Sequence, residues 1–171
     1  MKIVLVGYMG SGKSTIGKLL AKDLKSSFLD LDDVIEQRLG DSISNVFKAK
    51  GELFFRRKEH EYLNALLMDQ RQFILSTGGG TPCYSGNMET MLDLADHVIY
   101  LKLSIPGLVK RLLKEKEHRP LIRDIEDKEL PEFIGKHLFE RNNFYLKANK
   151  VIECDNKDPN TIVDEIKELL S

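Results

Sequence analysis

Short continuous apolar runs alternate along this chain with stretches in which apolar residues recur every three or four positions. Ile3 to Val6 is uninterrupted, and Ile16, Leu19, Leu20 and Leu24 then fall at helical spacing through Ser14 to Leu24. Phe28-Leu29-Asp30 makes a short second strand, followed by a helix from about Asp33 to Leu39. Ile43, Val46 and Phe47 predict a helix over Ser42 to Lys50, and Leu53, Tyr62, Leu63, Leu66 and Leu67 another over Glu52 to Met68, with Gly51 between them. Three further strands follow at Phe73-Ile74-Leu75, Val98 to Leu103 and Val151 to Cys154; a closing amphipathic helix from Pro159 to Leu170 turns Ile162, Ile166, Leu169 and Leu170 inward. Strands alternating with helices predict a parallel five-stranded sheet between two helical layers, a three-layer α/β/α fold. One segment breaks the pattern: residues 114–129 hold eleven charged residues and no sustained apolar period, and are the expected mobile lid.

Composition narrows the classes of function. At 171 residues the chain fits one α/β domain, with no internal repeat or linker. Twenty-six basic against 27 acidic residues give a net charge of -1, so nucleic acid is not an expected partner and anionic ligands must be met by local clusters. No apolar run approaches the roughly 20 residues that cross a bilayer, and strand and glycine-rich loop begin at once, so the expectation is a cytoplasmic protein without a signal peptide. Cys83 and Cys154 have no metal-ligand spacing and are expected as free thiols. A monomer is expected, since the pattern shows no surplus apolar face.

The most specific signal is Gly7-Tyr8-Met9-Gly10-Ser11-Gly12-Lys13-Ser14, a G-x-x-x-x-G-K-[ST] element placed between the first strand and the first helix. Glycines there let successive backbone N–H groups wrap an oxyanion cluster, Lys13 adds a mobile positive charge, and Ser14 offers a hydroxyl to Mg²⁺. The helix behind the loop points its partial positive charge at the phosphates. Nucleoside triphosphate binding follows. Guanine recognition is unsupported, because neither Asn149-Lys150 nor Asn156-Lys157 continues as N-K-x-D.

A small-molecule kinase also needs a carboxylate for the attacking hydroxyl and cations for the transferring phosphoryl group. Asp30 and Asp32 lie two apart at the second strand's carboxyl end, where an extended segment turns both to one side; Asp32-Asp33 also suits a helix cap. Arg56 and Arg57 follow Phe54-Phe55, and adjacent helical positions diverge by about 100°, so at most one enters a site, with Glu59 three residues from Arg56 as its orienting partner. Arg119-Pro120-Leu121 lies in the charged segment, either as a lid arginine or as one more solvated charge. Ser76 to Gly80 is a second backbone-exposing turn at a strand end, and Arg141 lies on the penultimate helix.

Taken in order, Gly7 to Ser14, Asp30-Leu31-Asp32, Gly51-Glu52, Phe55-Arg56-Arg57 with Glu59, Ser76 to Gly80, Arg119-Pro120-Leu121 and Arg141 through Tyr145 resemble the shikimate kinase family across essentially the whole chain. The resemblance implies a nucleoside-monophosphate-kinase-like P-loop NTPase fold and transfer of the ATP γ-phosphate to the 3-hydroxyl of shikimate, in the route to chorismate and the aromatic amino acids. It implies catalytic roles for Lys13, Asp32 and Arg119, with Asp32 as base. ATP contacts would come from Gly10, Ser11, Gly12, Lys13, Ser14, Thr15, Arg111 and Arg119. Shikimate would be held by Asp32, Arg56, Gly78, Gly79, Gly80 and Arg141, the two arginines on its carboxylate, in a pocket shaped by Phe47, Phe55 and Glu59 within a substrate-binding helical region at about 33–62. Mg²⁺ would rest on Ser14 and, through water, on Asp30; residues 155–159 resemble the cover of the adenine. The nearest rivals are gluconate kinase and a catalytically silent nucleotide-binding module, against which the triple-glycine turn and the set Lys13, Asp32, Arg56, Arg119 and Arg141 argue.

Overall fold

The computed structural model describes residues 1–171. Five strands, β1 (Lys2–Val6), β2 (Ser27–Asp30), β3 (Phe73–Ser76), β4 (His97–Lys102) and β5 (Lys150–Glu153), form one all-parallel sheet in the order β2-β3-β1-β4-β5. Its interior is a single apolar cluster in which every residue from Ile3 to Val6 and from Val98 to Leu101 is buried, as expected of strands covered on both faces. The helices are α1 (Lys13–Asp23), α2 (Leu31–Leu39), α3 (Ile43–Met68), α4 (Asn87–Leu94), α5 (Ile105–Glu115), α6 (Leu130–Tyr145) and α7 (Pro159–Leu170). None is long and apolar enough to cross a membrane.

Pairing register fixes the site. Ser76 faces Leu5 on one side and Asp30 on the other, so β1, β2 and β3 end level and their following loops share one edge of the sheet. That edge, beyond the strands' carboxyl ends, is where open parallel sheets bind ligands.

Most of the expected elements are present, with informative differences. Gly51 has φ 82 and ψ 172 inside α3, a left-handed break that divides it into the two expected helices. Leu53, expected to face inward, is 83% exposed, because the break resets the helical phase and the buried face of the second half begins at Phe55. Helix α2 starts at Leu31 rather than Asp33. Asp30 is its N-cap, accepting a 3.0 Å hydrogen bond from the Asp32 N–H, so Asp32 lies in the first helical turn and not on an extended segment. The two carboxylates share a site because a cap and a first-turn residue are close, not through strand alternation, and Asp30 rather than Asp32-Asp33 does the capping.

Candidate active site

Two cavities meet at the carboxyl edge of the sheet. The first, about 380 Å³, is walled by Gly10, Gly12, Lys13, Ser14 and Thr15 of the loop after β1, by Asp30, and by Arg111, Arg119 and Pro159. The second, about 310 Å³, is walled by Phe47, Phe55, Arg56, Glu59, Gly80 and Arg141. Met9, Asp32, Gly78, Gly79 and Arg119 belong to both walls.

In the first cavity the loop backbone needs its glycines. Gly7 has φ +150, and a Cβ there would sit 2.7 Å from the Leu101 carbonyl oxygen; Gly12 has φ +94 and caps α1, whose N-terminus faces the cavity. Lys13 is buried, its Nζ donating to the carbonyls of Gly7 at 2.8 Å and Tyr8 at 2.9 Å. Burial pulls its pKa down to about 8, against the opposing pull of Asp32, and at neutral pH it stays mostly charged. Ser14 Oγ donates to Asp30 Oδ2 at 2.8 Å and lies 3.5 Å from Ser76 Oγ. Ser11 alone among the expected loop contacts is absent from the wall: it is buried, its N–H donates to the Tyr8 carbonyl, and its hydroxyl has no partner. Arg111 stands over the loop, its Nη1 3.1 Å from where a Cβ on Gly12 would lie. Asp155 accepts from the Ser104 N–H and hydroxyl, pinning the start of the 155–159 loop beside α5.

In the second cavity α3 presents Arg56 while Arg57 is exposed on the surface. Arg56 Nη1 donates to Glu59 Oε1 at 2.9 Å, and the other Glu59 oxygen accepts from the Thr81 hydroxyl at 2.8 Å; Glu59 is 1% exposed, so its charge is fully committed. Arg141 enters from α6, with Nη1 3.3 Å from a Cβ position on Gly79. Gly79 is thereby boxed in, since the same position is 3.2 Å from the Met9 amide nitrogen.

Between the cavities stands Asp32, against Gly78, with its Oδ1 3.3 Å from that glycine's Cβ position. Burial, then Asp30 and Glu59, push its pKa up to about 6, so the carboxylate is ionised at neutral pH yet more basic than an ordinary aspartate. Arg119, on the other shared wall, is held by Glu115 one turn earlier, with Nε to Oε2 at 2.7 Å. Within 114–129 only Ile122 is fully buried and Ile125 packs partly against the core, so two apolar side chains fasten this segment.

Several contributors were assigned no role from the sequence, Tyr145 entering there only as the end of the Arg141 to Tyr145 motif. Met9, an unspecified position in the loop motif, lies on both walls. Tyr145, buried and packed on Tyr100, donates to the Gly79 carbonyl at 2.5 Å and fixes the triple-glycine turn. Thr81 and Glu115 likewise act only through contacts that folding makes.

The whole chain is similar to known proteins. A family model described as shikimate kinase matches residues 9–171. The chain is 48% identical over 170 residues to a shikimate kinase of Flavobacterium psychrophilum, covering 99% of this chain and 98% of the relative. It is 44% identical to one of Flavobacterium johnsoniae, covering 99% of each. Among solved structures, a shikimate kinase from Bacteroides thetaiotaomicron superposes with a TM-score of 0.93 at 36% identity, over 99% of this chain and 98% of that one. A shikimate kinase from Acinetobacter baumannii in complex with shikimate gives 0.87 at 32% identity, over 99% and 92%.

Proposed function

The chain belongs to the shikimate kinase family, and we propose that its paired cavities carry out ATP-dependent phosphorylation of the shikimate 3-hydroxyl, giving shikimate 3-phosphate and ADP. The observation that carries the reading is the shared wall: one carboxylate and one arginine, Asp32 and Arg119, face both the phosphate loop and a cavity holding two further arginines. A phosphoryl group held by Gly10, Gly12, Lys13, Ser14 and Thr15 would reach across that wall. In the acceptor cavity Arg56 and Arg141 bind the carboxylate, the Gly78 to Gly80 turn supplies backbone contacts, and Asp32 takes the hydroxyl proton. Arg111 and the 155–159 loop flank the adenine.

Mg²⁺ fits the donor set. Ser14 Oγ and the Asp30 carboxylate are hard oxygen donors 2.8 Å apart, and no group of three or more His, Cys, Asp or Glu side chains forms a cage, as suits an ion held mainly by phosphate and water. When bound, the ion would be held by Ser14 and, through water, by Asp30, and would neutralise charge on the transferring phosphoryl group. Residues 114–129 act as a lid and 33–62 as the substrate-binding region; closure excludes water, which would otherwise accept the phosphoryl group. One chain supplies both cavities, so a monomer suffices. A cytoplasmic site suits an ATP-dependent enzyme with two free cysteines.

A coupled ADP-release assay with shikimate, gluconate and nucleoside monophosphates tests the assignment. Turnover with shikimate alone is expected; turnover only with gluconate would reassign the acceptor, and none with any acceptor would leave a nucleotide-binding module. Arg56→Ala is expected to raise the KM for shikimate far more than that for ATP, because the guanidinium meets only the acceptor. Equal effects on both would make Arg56 structural.

A further inference from the structure

The Arg56 guanidinium is enclosed more completely than binding a carboxylate requires. Its Cζ lies 3.9 Å from the centroid of the Tyr84 ring, close enough to rest on the ring face. On the Gly80 side there is no room for a side chain: a Cβ on Gly80 would stand 2.8 Å from Nη2 and 3.3 Å from Nη1. Backbone hydrogen bonds hold the turn that joins these two walls and the turn that follows it. The Cys83 N–H donates to the Gly80 carbonyl at 2.9 Å, and the Asn87 N–H to the Tyr84 carbonyl at 2.9 Å.

A single hydrogen bond to Glu59 fixes one nitrogen of the fork and leaves the plane free to swing about it. Glu52, four residues before Arg56, 57% exposed and not part of the cavity wall, offers a competing carboxylate 3.7 Å from Nε. An arginine side chain has a large rotamer entropy to lose, and a preorganised fork loses less on binding.

We propose that Tyr84 is a positioning residue for the acceptor carboxylate: its ring, opposite the backbone of Gly80, holds the Arg56 guanidinium in the plane from which its free edge faces the acceptor cavity. This rests on the assignment of Arg56 to that carboxylate. The contact uses the ring face, so phenylalanine preserves it and an aliphatic side chain does not. Tyr84 is 38% exposed and outside the apolar cluster, so its replacement leaves the core intact.

The test is steady-state kinetics with shikimate and ATP on Tyr84→Leu, Tyr84→Phe, Arg56→Ala and the Tyr84→Leu/Arg56→Ala double variant. Tyr84→Leu should raise the shikimate KM roughly tenfold, the scale of a partly desolvated cation–π contact, while kcat and the ATP KM stay unchanged. Tyr84→Phe should restore the wild-type value, and Tyr84→Leu should add nothing in the Arg56→Ala background. A wild-type shikimate KM in Tyr84→Leu, no rescue by phenylalanine, or additive effects in the double variant would each overturn the proposal while Arg56→Ala still raised that KM. An unchanged shikimate KM in Arg56→Ala would instead remove the carboxylate assignment itself, and the role of Tyr84 with it.

Discussion

Asp32→Asn is expected to lower kcat by at least about 10²-fold, the low end for loss of a general base. Asparagine fills the same space against Gly78 but offers no basic oxygen to the attacking hydroxyl. The pH profile supplies a second measure. With its pKa raised to about 6, first by burial and then by Asp30 and Glu59, Asp32 loses its proton just below neutrality. The kcat/KM of the wild-type enzyme should therefore fall on the acid side with a limb near pH 6, and that limb should vanish in the variant. Near-normal turnover, or an unchanged limb, would end the role of Asp32 as base.

Stability should move the opposite way. A carboxylate whose native pKa lies above its unfolded value costs the fold nothing while both states hold the proton, and costs progressively more as pH rises from about 3.8 to about 6. Above that window the ionised side chain destabilises the native state by on the order of 3 kcal/mol. Asp32→Asn should thus raise Tm at pH 8 by roughly 6–12 °C, with the gain disappearing below the window. A variant that is both slower and more stable is the signature of a group kept in place for chemistry; a drop in Tm at pH 8 would show that Asp32 supports the fold.

Arg119→Ala is expected to reduce kcat by about 10³-fold, the lower bound seen when a cation aimed at the transferring phosphoryl group is removed. In the structure this side chain is occupied, bound to Glu115 while facing both cavities. The pair is half-exposed, so the contact is weak and is expected to yield to a triphosphate. Arg119→Lys should recover only part of the loss, because a point charge cannot reproduce the planar fork. Stopped-flow ADP release measures both; a loss of only a few-fold would mean that Arg119 stays with Glu115 throughout turnover.

Much of this was legible in the amino-acid sequence because the relevant signals are local. The glycine-rich loop works through φ values that Gly7 and Gly12 permit and through the helix that starts at Lys13, all within one short stretch of chain. The five strands, the helices up to Met68 and the closing helix followed from period, and the break at Gly51 from one residue, whereas α4 and α5 were not read. The placement of Glu59 beside Arg56 needed only helical spacing. The geometry of the acidic pair did not follow, because whether Asp32 is extended or helical depends on where the cap falls, and Asp30 took that position. Nor did the inward reading of Leu53, since a left-handed residue between two helices shifts the phase of everything after it.

The sequence by itself determined the three-layer parallel fold, the phosphate loop and the family, because each is written in neighbouring residues or in the order of short motifs. The tertiary structure decided which charged groups meet. Asp32, Arg56, Arg119 and Arg141 come from four separate elements, and their convergence follows from the level ends of β1, β2 and β3 and from the docking of α6 through Tyr145 onto Gly79. Burial then set the protonation of Asp32 and Lys13, and Tyr84 met Arg56 across 28 positions of chain. Desolvation and long-range contact exist only once the chain has closed around them, so no reading of local pattern contains them.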